Sequence, residues 1–222
     1  IAREGWVWIF LAIISASVTQ LNYGFASVPL WILALFLIFL FRDPHRTITA
    51  LPLGIVCPVD GRITAIEKVF DAYLGRSAIC ISIKMGFLDV YSVHSPMEGK
   101  IIKQWRKGPR QIQSLATVKS DDTATIAETN VELMAFAQCI QSDEDDDVVL
   151  VIEAGTLLPS PHCYVRSGER IGLGQRCGFL RFGNQVDVWV PGPSRIDVQM
   201  GDKVLAGTGI IATLVRTDAG SS

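Results

Sequence analysis

The sequence is poor in the residues that most often carry metal or redox chemistry. It has three histidines and five cysteines in 222 residues, and no two cysteines stand in the CxxC spacing. Because closely spaced cysteines are the usual sign of a zinc site, we expect no metal, and unpaired thiols favour a reducing compartment. The net charge of −2 provides no basic field, so we expect no nucleic-acid partner.

Charged residues are absent from two apolar stretches near the start, Trp6 to Val18 and Phe25 to Phe41, which the polar stretch Thr19 to Gly24 separates. At 1.5 Å per residue the second stretch covers about 25 Å, slightly less than the roughly 30 Å of a bilayer core. The first stretch alone is too short to cross.

Arginines flank this apolar pair, with Arg3 before it and Arg42 and Arg46 after it. The positive-inside rule then places both ends on the cytoplasmic side. Residues 1–42 are therefore predicted to form a helical membrane-anchor hairpin. A buried helical hairpin is the alternative.

The rest of the chain, residues 43–222, changes to short runs that alternate apolar and polar residues between turn-forming residues. This pattern is typical of an antiparallel β domain, so the predicted fold is mainly β. The polar segment Gln111 to Thr129 is expected to be a loop or a weak strand. The predicted strands are Gly61–Val69, Ala78–Lys84, Lys100–Gln104, Val131–Ala137, Val148–Glu153, Phe179–Phe182 and Val186–Val190.

The last third repeats a glycine-containing turn before a strand, at Ser167 to Ile171 and at Gly201 to Val204. This pattern is similar to hammerhead or barrel-sandwich domains that carry biotin or lipoate. Lys203 lacks the flanking methionine of a modified carrier lysine, so the similarity concerns the fold only. The acidic run Asp143 to Asp147 is interpreted as a solvated loop, with metal binding as the less favoured alternative.

The residues best placed for acid-base chemistry are Asp60, Asp89 and His94. An Asp-His couple that precedes a distant nucleophile is the arrangement of a proton relay, in which the acid orients the imidazole and the imidazole accepts the nucleophile's proton. A histidine beside a proline turn is also compatible with a purely structural role.

Five segments together resemble, in the same order, the short bacterial form of phosphatidylserine decarboxylase. They are REGWVWI, FRDPHR, PVDG, FLDVYSVHSPMEG and GERIGLGQRCGFLRFGNQVDVWVP, and they extend over nearly the whole chain. The ordered set is far more specific than any one of its members.

The resemblance implies a proenzyme at the cytoplasmic face of the inner membrane that cuts itself at a Gly-Ser bond. In the family the serine attacks the preceding glycine carbonyl and is converted into a pyruvoyl group, which serves the decarboxylation of phosphatidylserine to phosphatidylethanolamine. Asp60 and His94 match the pair that activates the serine, and Asp89 matches a further acid. The implied partners are the membrane and a phosphatidylserine-like phospholipid.

The sequence departs from the family at the cleavage point, because the family's FGS falls on Phe182, Gly183 and Asn184. Asparagine has no hydroxyl, so we expect no cleavage between residues 183 and 184 and no pyruvoyl group. Tyr91 stands where the longer family form has a second histidine, and a phenol with a pKa of about 10 is a poor base. Pro159 and Ser160 replace two family arginines, which weakens any phosphate contact there.

No other residue is predicted to replace the missing serine. Gly220-Ser221 would release only a dipeptide, and cyclisation of Asn184 onto its own carbonyl would give a succinimide, which is not a ketone. Two functions stay open. The first is a decarboxylase relative that is either an uncleaved form of a working proenzyme or uses an unrecognised nucleophile, and the second is a non-catalytic membrane protein that binds lipid or regulates an active paralogue. A homodimer also stays open.

Overall fold

The computed structural model describes residues 5–42, 46–86, 89–116, 127–155, 162–180 and 185–215, and within these ranges only the backbone is described for 107–116, 127–134, 154–155 and 162. Its apolar N-terminal segment forms helix α1, Trp6–Tyr23, a 3-10 turn, Gly24–Ser27, and helix α2, Val28–Leu40. By length and composition Trp6–Leu40 suffices to cross a membrane.

The turn lies later in the chain than predicted. The polar stretch expected to separate the helices belongs largely to α1, where the Thr19 hydroxyl donates to Ser15 O and the Asn22 amide to Val18 O, both at 2.8 Å. These bonds satisfy the polar side chains inside the helix. The helix ends at Gly24, whose φ of 56° is readily adopted by glycine.

The two helices fold back on each other as a hairpin. Trp31 Nε1 donates to Gln20 Oε1 at 2.8 Å, a contact that residues 11 positions apart could not make along one straight helix. At the other end, the ring of Phe41 occupies the space where a Cβ on Gly5 would lie. The hairpin form of this segment therefore agrees with the prediction from sequence.

Every paired strand in the remainder is antiparallel to its neighbour, which confirms the mainly β prediction. The largest sheet has the strand order β13-β2-β3-β11-β7-β6-β5-β9, and two three-stranded sheets have the orders β1-β14-β12 and β4-β10-β8. The strands are β1 Gly54–Val56, β2 Gly61–Asp71, β3 Arg76–Lys84, β4 Ser92–His94, β5 Gly99–Ala116, β6 Ala127–Gln141, β7 Asp147–Gly155, β8 His162–Cys163, β9 Arg170–Ile171, β10 Arg176–Phe179, β11 Gln185–Pro191, β12 Arg195–Ile196, β13 Lys203–Val204 and β14 Ile210–Thr213.

The main core lies on one face of the large sheet. In β11, Val186, Val188 and Val190 are fully buried in this core, as the period-two alternation requires. The base of the hairpin joins the same core through Leu40 and Phe41. The hairpin is thus packed onto the β domain at its base.

Two segments of the β region differ in part from the expectation. The segment Gln111 to Thr129 is not a loop where it is described, because β5 runs to Ala116 and β6 begins at Ala127, and the two strands pair residue by residue. Cross-strand pairing overrides the low β-propensity of these polar residues. The predicted strand Phe179–Phe182 overlaps β10 at Phe179 alone, because β10 ends there. Residues 181 and 182 of the predicted strand lie outside the described ranges.

The glycine turns of the C-terminal part are found as predicted. Gly168 precedes β9 and Gly201 precedes β13, and both have a φ of 93°. The acidic run forms the turn between β6 and β7, where the Ser142 hydroxyl accepts the Glu144 backbone N–H at 3.0 Å. Among the described residues no cluster of three histidine, cysteine or acidic side chains is arranged to hold a metal ion.

Candidate functional site

Strand β10 leads toward the predicted cleavage point and is held in place by β4. Arg176 pairs with His94 and Phe179 with Ser92, and beyond the strand the Leu180 N–H donates to Tyr91 O at 2.8 Å. The predicted site residues of the DVYSVH segment thus lie directly beside the strand that precedes Gly183.

Gly183 and Asn184 themselves lie outside the described residues. The described chain resumes at Gln185, which pairs with Lys84 on β3 and with Glu153 on β7. The predicted cleavage point therefore lies in the sequence between Leu180, whose N–H is hydrogen-bonded to Tyr91 O, and Gln185, which is paired with strands on both sides in the large sheet.

Asp60 is buried, and both of its carboxylate oxygens accept hydrogen bonds. Arg46 binds both carboxylate oxygens, with Nη2 at 2.7 Å from Oδ2 and Nη1 against Oδ1, and the Ala206 N–H donates to Oδ1 at 2.9 Å. Only 3% of Asp60 is exposed, so the guanidinium compensates a carboxylate removed from water. From the sequence Arg46 is predicted only as a positive charge that flanks the hairpin, and its contact with Asp60 carries no local sequence signal.

His94 is joined to the Asp60 loop through the backbone, because the His94 N–H donates to Pro58 O at 2.8 Å. Residues 58 to 60 thus run alongside the end of β4. The backbone of His94 therefore lies beside Pro58, which stands two positions before Asp60 in the sequence, whereas the hydrogen bonds described for the Asp60 carboxylate come from Arg46 and the Ala206 N–H. Sequence order alone did not require this contact, since 34 positions separate Asp60 from His94.

Tyr91 is buried at the centre of this region. Its ring packs edge-on against Phe179, with centroids 6.2 Å apart. Burial raises the pKa of its phenol, and the nearby charge of Asp89 raises it further. The side chain therefore stays neutral near pH 7, which makes it a weak base, as expected.

Asp89 serves the turn before Tyr91. Its Oδ2 accepts the Gly86 backbone N–H at 2.7 Å, and its own N–H donates to Gly86 O at 3.2 Å. This pattern is that of a side chain that closes a tight turn. The described contacts of Asp89 thus set the path of the chain toward β4.

Two further residues near the site were not singled out from the sequence. Arg176 lies with its guanidinium carbon 5.5 Å from the Phe179 ring centroid and 5.3 Å from that of Tyr164. The Phe179 ring also stacks on the Phe41 ring, with centroids 6.2 Å apart. Phe179 therefore connects the base of the helical hairpin with Tyr91, a long-range contact that carries no local sequence signal.

The cysteines nearest to the site are unsuited to replace the absent serine. Burial raises the pKa of the Cys57 thiol to about 12, and it does the same for Cys177. A thiol is a nucleophile only as the thiolate, which is scarce at neutral pH for such values. All five cysteines are free.

Comparison with known proteins gives one consistent family. A family model described as phosphatidylserine decarboxylase matches residues 33–212. Proteins named phosphatidylserine decarboxylase proenzyme are similar over 96% of this chain: one from Aromatoleum aromaticum is 37% identical and covered over 95% of its length, and one from Burkholderia multivorans is 39% identical and covered over 96%. A third, from Nitrosomonas eutropha, is 38% identical, with 94% of its length covered.

No solved structure matches the chain. This chain belongs to the phosphatidylserine decarboxylase family, whose members are pyruvoyl-dependent proenzymes.

Proposed function

We propose that this chain is a membrane-anchored member of the family that keeps a phospholipid site but does not cut itself. The observation that carries the proposal is Asn184, which follows Gly183 where the family has serine. A carboxamide offers no hydroxyl to attack the glycine carbonyl and no oxygen on Cβ to eliminate. The residue present therefore does not fit the formation of a pyruvoyl group, and no catalytic step is assigned through one.

The arrangement around the cleavage position supports a lipid-binding or regulatory role in place of catalysis. Asp60 and His94 match the family's activating pair by the resemblance, and the His94 backbone is hydrogen-bonded to Pro58 in the loop that leads to Asp60, which supports a frame that is kept. By the resemblance, Tyr91 and the pair Pro159-Ser160 stand, like Asn184, at positions where the family has other residues, which supports the loss of catalysis. A protein that binds phospholipid and pairs with an active relative requires the frame but not the nucleophile.

Denaturing mass spectrometry of the purified full chain tests this proposal. We expect one species of the intact mass, 24.3 kDa, and no reaction with hydrazine, which traps ketones. A fragment that begins at residue 184 and carries a hydrazine-reactive carbonyl would contradict the proposal and favour the working enzyme. The same sample treated with hydroxylamine reveals any ester formed at an unrecognised nucleophile.

The hairpin of α1 and α2 supports attachment to the cytoplasmic face of the inner membrane. The described part of this segment carries no charged side chain from Trp6 to Phe41, and its apolar surface is widely exposed. At the turn Leu21 is 87% exposed and Phe25 94%. Exposure of so much apolar surface is costly in water and favourable in a bilayer.

A charge at the hairpin turn is expected to weaken membrane attachment. The substitution Phe25→Asp places a carboxylate where the apolar tip enters the bilayer, at a cost of up to about 3 kcal/mol, or about 100-fold in partitioning. Flotation with phosphatidylcholine vesicles measures the loss. The matched control is Phe70→Asp, because Phe70 is 69% exposed on the β domain and its substitution should leave flotation unchanged.

Equal flotation of the wild-type protein and Phe25→Asp would show that the hairpin tip does not enter the bilayer. Loss of flotation in both Phe25→Asp and Phe70→Asp would indicate a general effect of added negative charge. Either result would contradict anchoring by the hairpin.

A further inference from the structure

Three basic side chains form a continuous row across neighbouring strands of the large sheet. Lys203 of β13 pairs directly with Arg62 of β2, and Arg62 pairs with Lys84 of β3. Residues directly opposite each other in antiparallel strands place their Cβ atoms about 5 Å apart on the same face of the sheet. The register therefore brings three positive charges side by side, and these three residues are the cationic row.

The cationic row lies on the face of the sheet that points away from the main core. The residue next to each member along its strand is Ile63, Ile83 or Val204, and all three of these are buried in the core. Because side chains alternate between the two faces of a strand, the members of the row point to the other side. All three are exposed accordingly, so the row is open to a partner.

No carboxylate forms an ion pair with the cationic row in the part of the chain that the structure describes. The arginines that form ion pairs there are Arg46, Arg76, Arg170 and Arg195. Asp202 is next to Lys203 in the sequence, but its carboxylate accepts the Gln199 backbone N–H at 2.8 Å. Like charges directly opposite each other destabilise a sheet, so this arrangement favours an anionic partner outside the chain.

Two strands of the row lead to the point where the chain leaves the helical hairpin. Asp60, which binds Arg46 just after the hairpin, stands two positions before Arg62. Ala206, whose N–H donates to the same carboxylate at 2.9 Å, stands three positions after Lys203. The contacts of Asp60 therefore tie β2 and β13 to the segment that follows the hairpin.

The third strand of the row leads to the base of the hairpin as well. Met85 follows Lys84 directly and is buried in the main core, to which Leu40 and Phe41 also belong. On β11, the partner of Lys84 is Gln185, the first described residue after the predicted cleavage point. The cationic row thus stands at the end of the large sheet where the hairpin is attached.

An anionic lipid surface is the partner that fits this charge and this position. Basic residues close to a membrane-inserted segment are attracted by anionic headgroups, and each contributes about fivefold to binding. A nucleic acid fits less well, because the chain has a net charge of −2 and no extended basic field.

We propose that Arg62, Lys84 and Lys203 form an accessory contact surface for anionic phospholipid headgroups. The proposal rests on the membrane attachment proposed above, because the hairpin brings this end of the β domain to the lipid. The contact is made by charge and needs no pocket, and it includes none of the predicted site residues. It adds a preference for anionic membranes to the anchoring by the hairpin.

The test measures flotation of the full chain over a series of lipid concentrations. Vesicles of phosphatidylcholine alone are compared with vesicles that also contain phosphatidylglycerol, which is anionic and lacks an amine. Wild type should prefer the anionic vesicles, and the triple variant Arg62→Gln, Lys84→Gln, Lys203→Gln should lose about 100-fold of that preference while floating equally well with neutral vesicles. Salt should also weaken the preference, because the Debye length falls from about 10 Å at 0.1 M to about 3 Å at 1 M.

The matched control removes the same number and types of charge from β5. Lys100, Lys103 and Arg106 are exposed, and β7 and β6 separate their strand from β11. The triple variant Lys100→Gln, Lys103→Gln, Arg106→Gln should keep the wild-type preference. An equal loss in the two triple variants would overturn the proposal, because it would indicate a general charge effect. Arg62→Lys keeps the charge, so its preference should equal that of wild type.

Thermal unfolding in detergent shows whether the triple variant of the row is folded. Removal of adjacent like charges relieves repulsion, so its Tm should equal or exceed that of wild type. A clear fall in Tm would overturn the proposal, because it would mean that the row makes stabilising contacts within the chain.

The two kinds of vesicle separate the row from the hairpin. Flotation with neutral vesicles depends on the hairpin, whereas the ratio between anionic and neutral vesicles depends on the row. The same ratio for wild type and the row variant would overturn the proposal even if both float. Row-dependent binding to anionic vesicles alone would support the row and contradict only anchoring by the hairpin. Row-dependent binding of a DNA duplex, without any preference among vesicles, would overturn the lipid as the partner.

Discussion

The substitution Asn184→Ser is expected to convert a chain that stays intact into one that cuts itself between Gly183 and residue 184. On a denaturing gel the single band near 24.3 kDa should give way to a large fragment and a small one made of residues 184–222. Mass spectrometry should find a blocked N-terminus on the small fragment. The expected change is from no detectable product to nearly complete cleavage over hours.

The physical reason is that one oxygen is missing while its surroundings are kept. The activated serine of the family needs a base, and His94 lies at the end of β4, beside the loop that ends in Asp60. A hydroxyl restored at position 184 would find that base in the frame built by β4 and β10. Positioned proton transfer is worth about 10²- to 10⁴-fold in rate, so its loss should be plainly visible.

Two control variants distinguish cleavage by the serine hydroxyl and its base from cleavage that results from a less ordered turn. Asn184→Ala removes the carboxamide without adding a hydroxyl, so it should remain uncut. Asn184→Ser combined with His94→Gln keeps the hydroxyl but removes the base, so cleavage should slow by at least about 100-fold. Cleavage that proceeds equally with and without His94 would contradict the assignment of His94 as the base.

Decarboxylation is a separate measurement on the same variant. Tyr91 is buried and its pKa is raised by burial and by Asp89, so it cannot supply the basic group that the longer family form has there. If Asn184→Ser gives both cleavage and full decarboxylation of phosphatidylserine, then residue 184 alone separates this chain from a working enzyme. The non-catalytic role would then depend on that single residue.

Much of the β fold could be predicted because alternation reports burial directly. Val186, Val188 and Val190 alternate with more polar residues, and all three face the main core. The long hairpin of β5 and β6 could not be predicted in the same way. The polar residues 111–116 and 127–129 are held by pairing between the two strands, and such pairing cannot be deduced from a short stretch of sequence.

The connections of the candidate site could not be predicted from the sequence. Asp60 and His94 remain predicted site residues from residue type and motif, and the structure adds the hydrogen bond from the His94 backbone to Pro58 in the loop before Asp60. The link from Phe41 through Phe179 to Tyr91 joins three distant parts of the chain. Such contacts follow from tertiary packing, so no spacing along the sequence could indicate them.

Arg46 is the clearest residue whose role required the structure. It follows the hairpin by a few positions and could have been taken only as a cytoplasmic anchor charge. Instead its guanidinium binds both oxygens of the buried Asp60. The arginine thus fixes the chain that leaves the hairpin to the loop beside His94.

Replacing Arg46 with methionine is therefore expected to be strongly destabilising. The side chain of Asp60 is 5% exposed and that of Arg46 is 23% exposed, so removal of the arginine leaves a buried carboxylate whose one remaining donor among the described residues is the Ala206 N–H. Breaking a buried pair from one side costs about 3–5 kcal/mol, and the partial exposure of Arg46 favours the lower end. For a chain of this size that corresponds to a fall in Tm of about 10 °C, measurable by thermal unfolding in detergent.

The chain offers a matched control and a compensating variant. Arg195→Met breaks the Arg195–Asp197 pair, in which the arginine side chain is 70% exposed, and it should cost less than about 1 kcal/mol. Arg46→Met combined with Asp60→Leu removes the stranded charge as well, so it should recover much of the lost stability while still abolishing cleavage in the Asn184→Ser background. Equal Tm values for Arg46→Met and Arg195→Met would mean that the buried pair contributes no more than a surface one, and the position of Arg46 would then need another explanation than the support of Asp60.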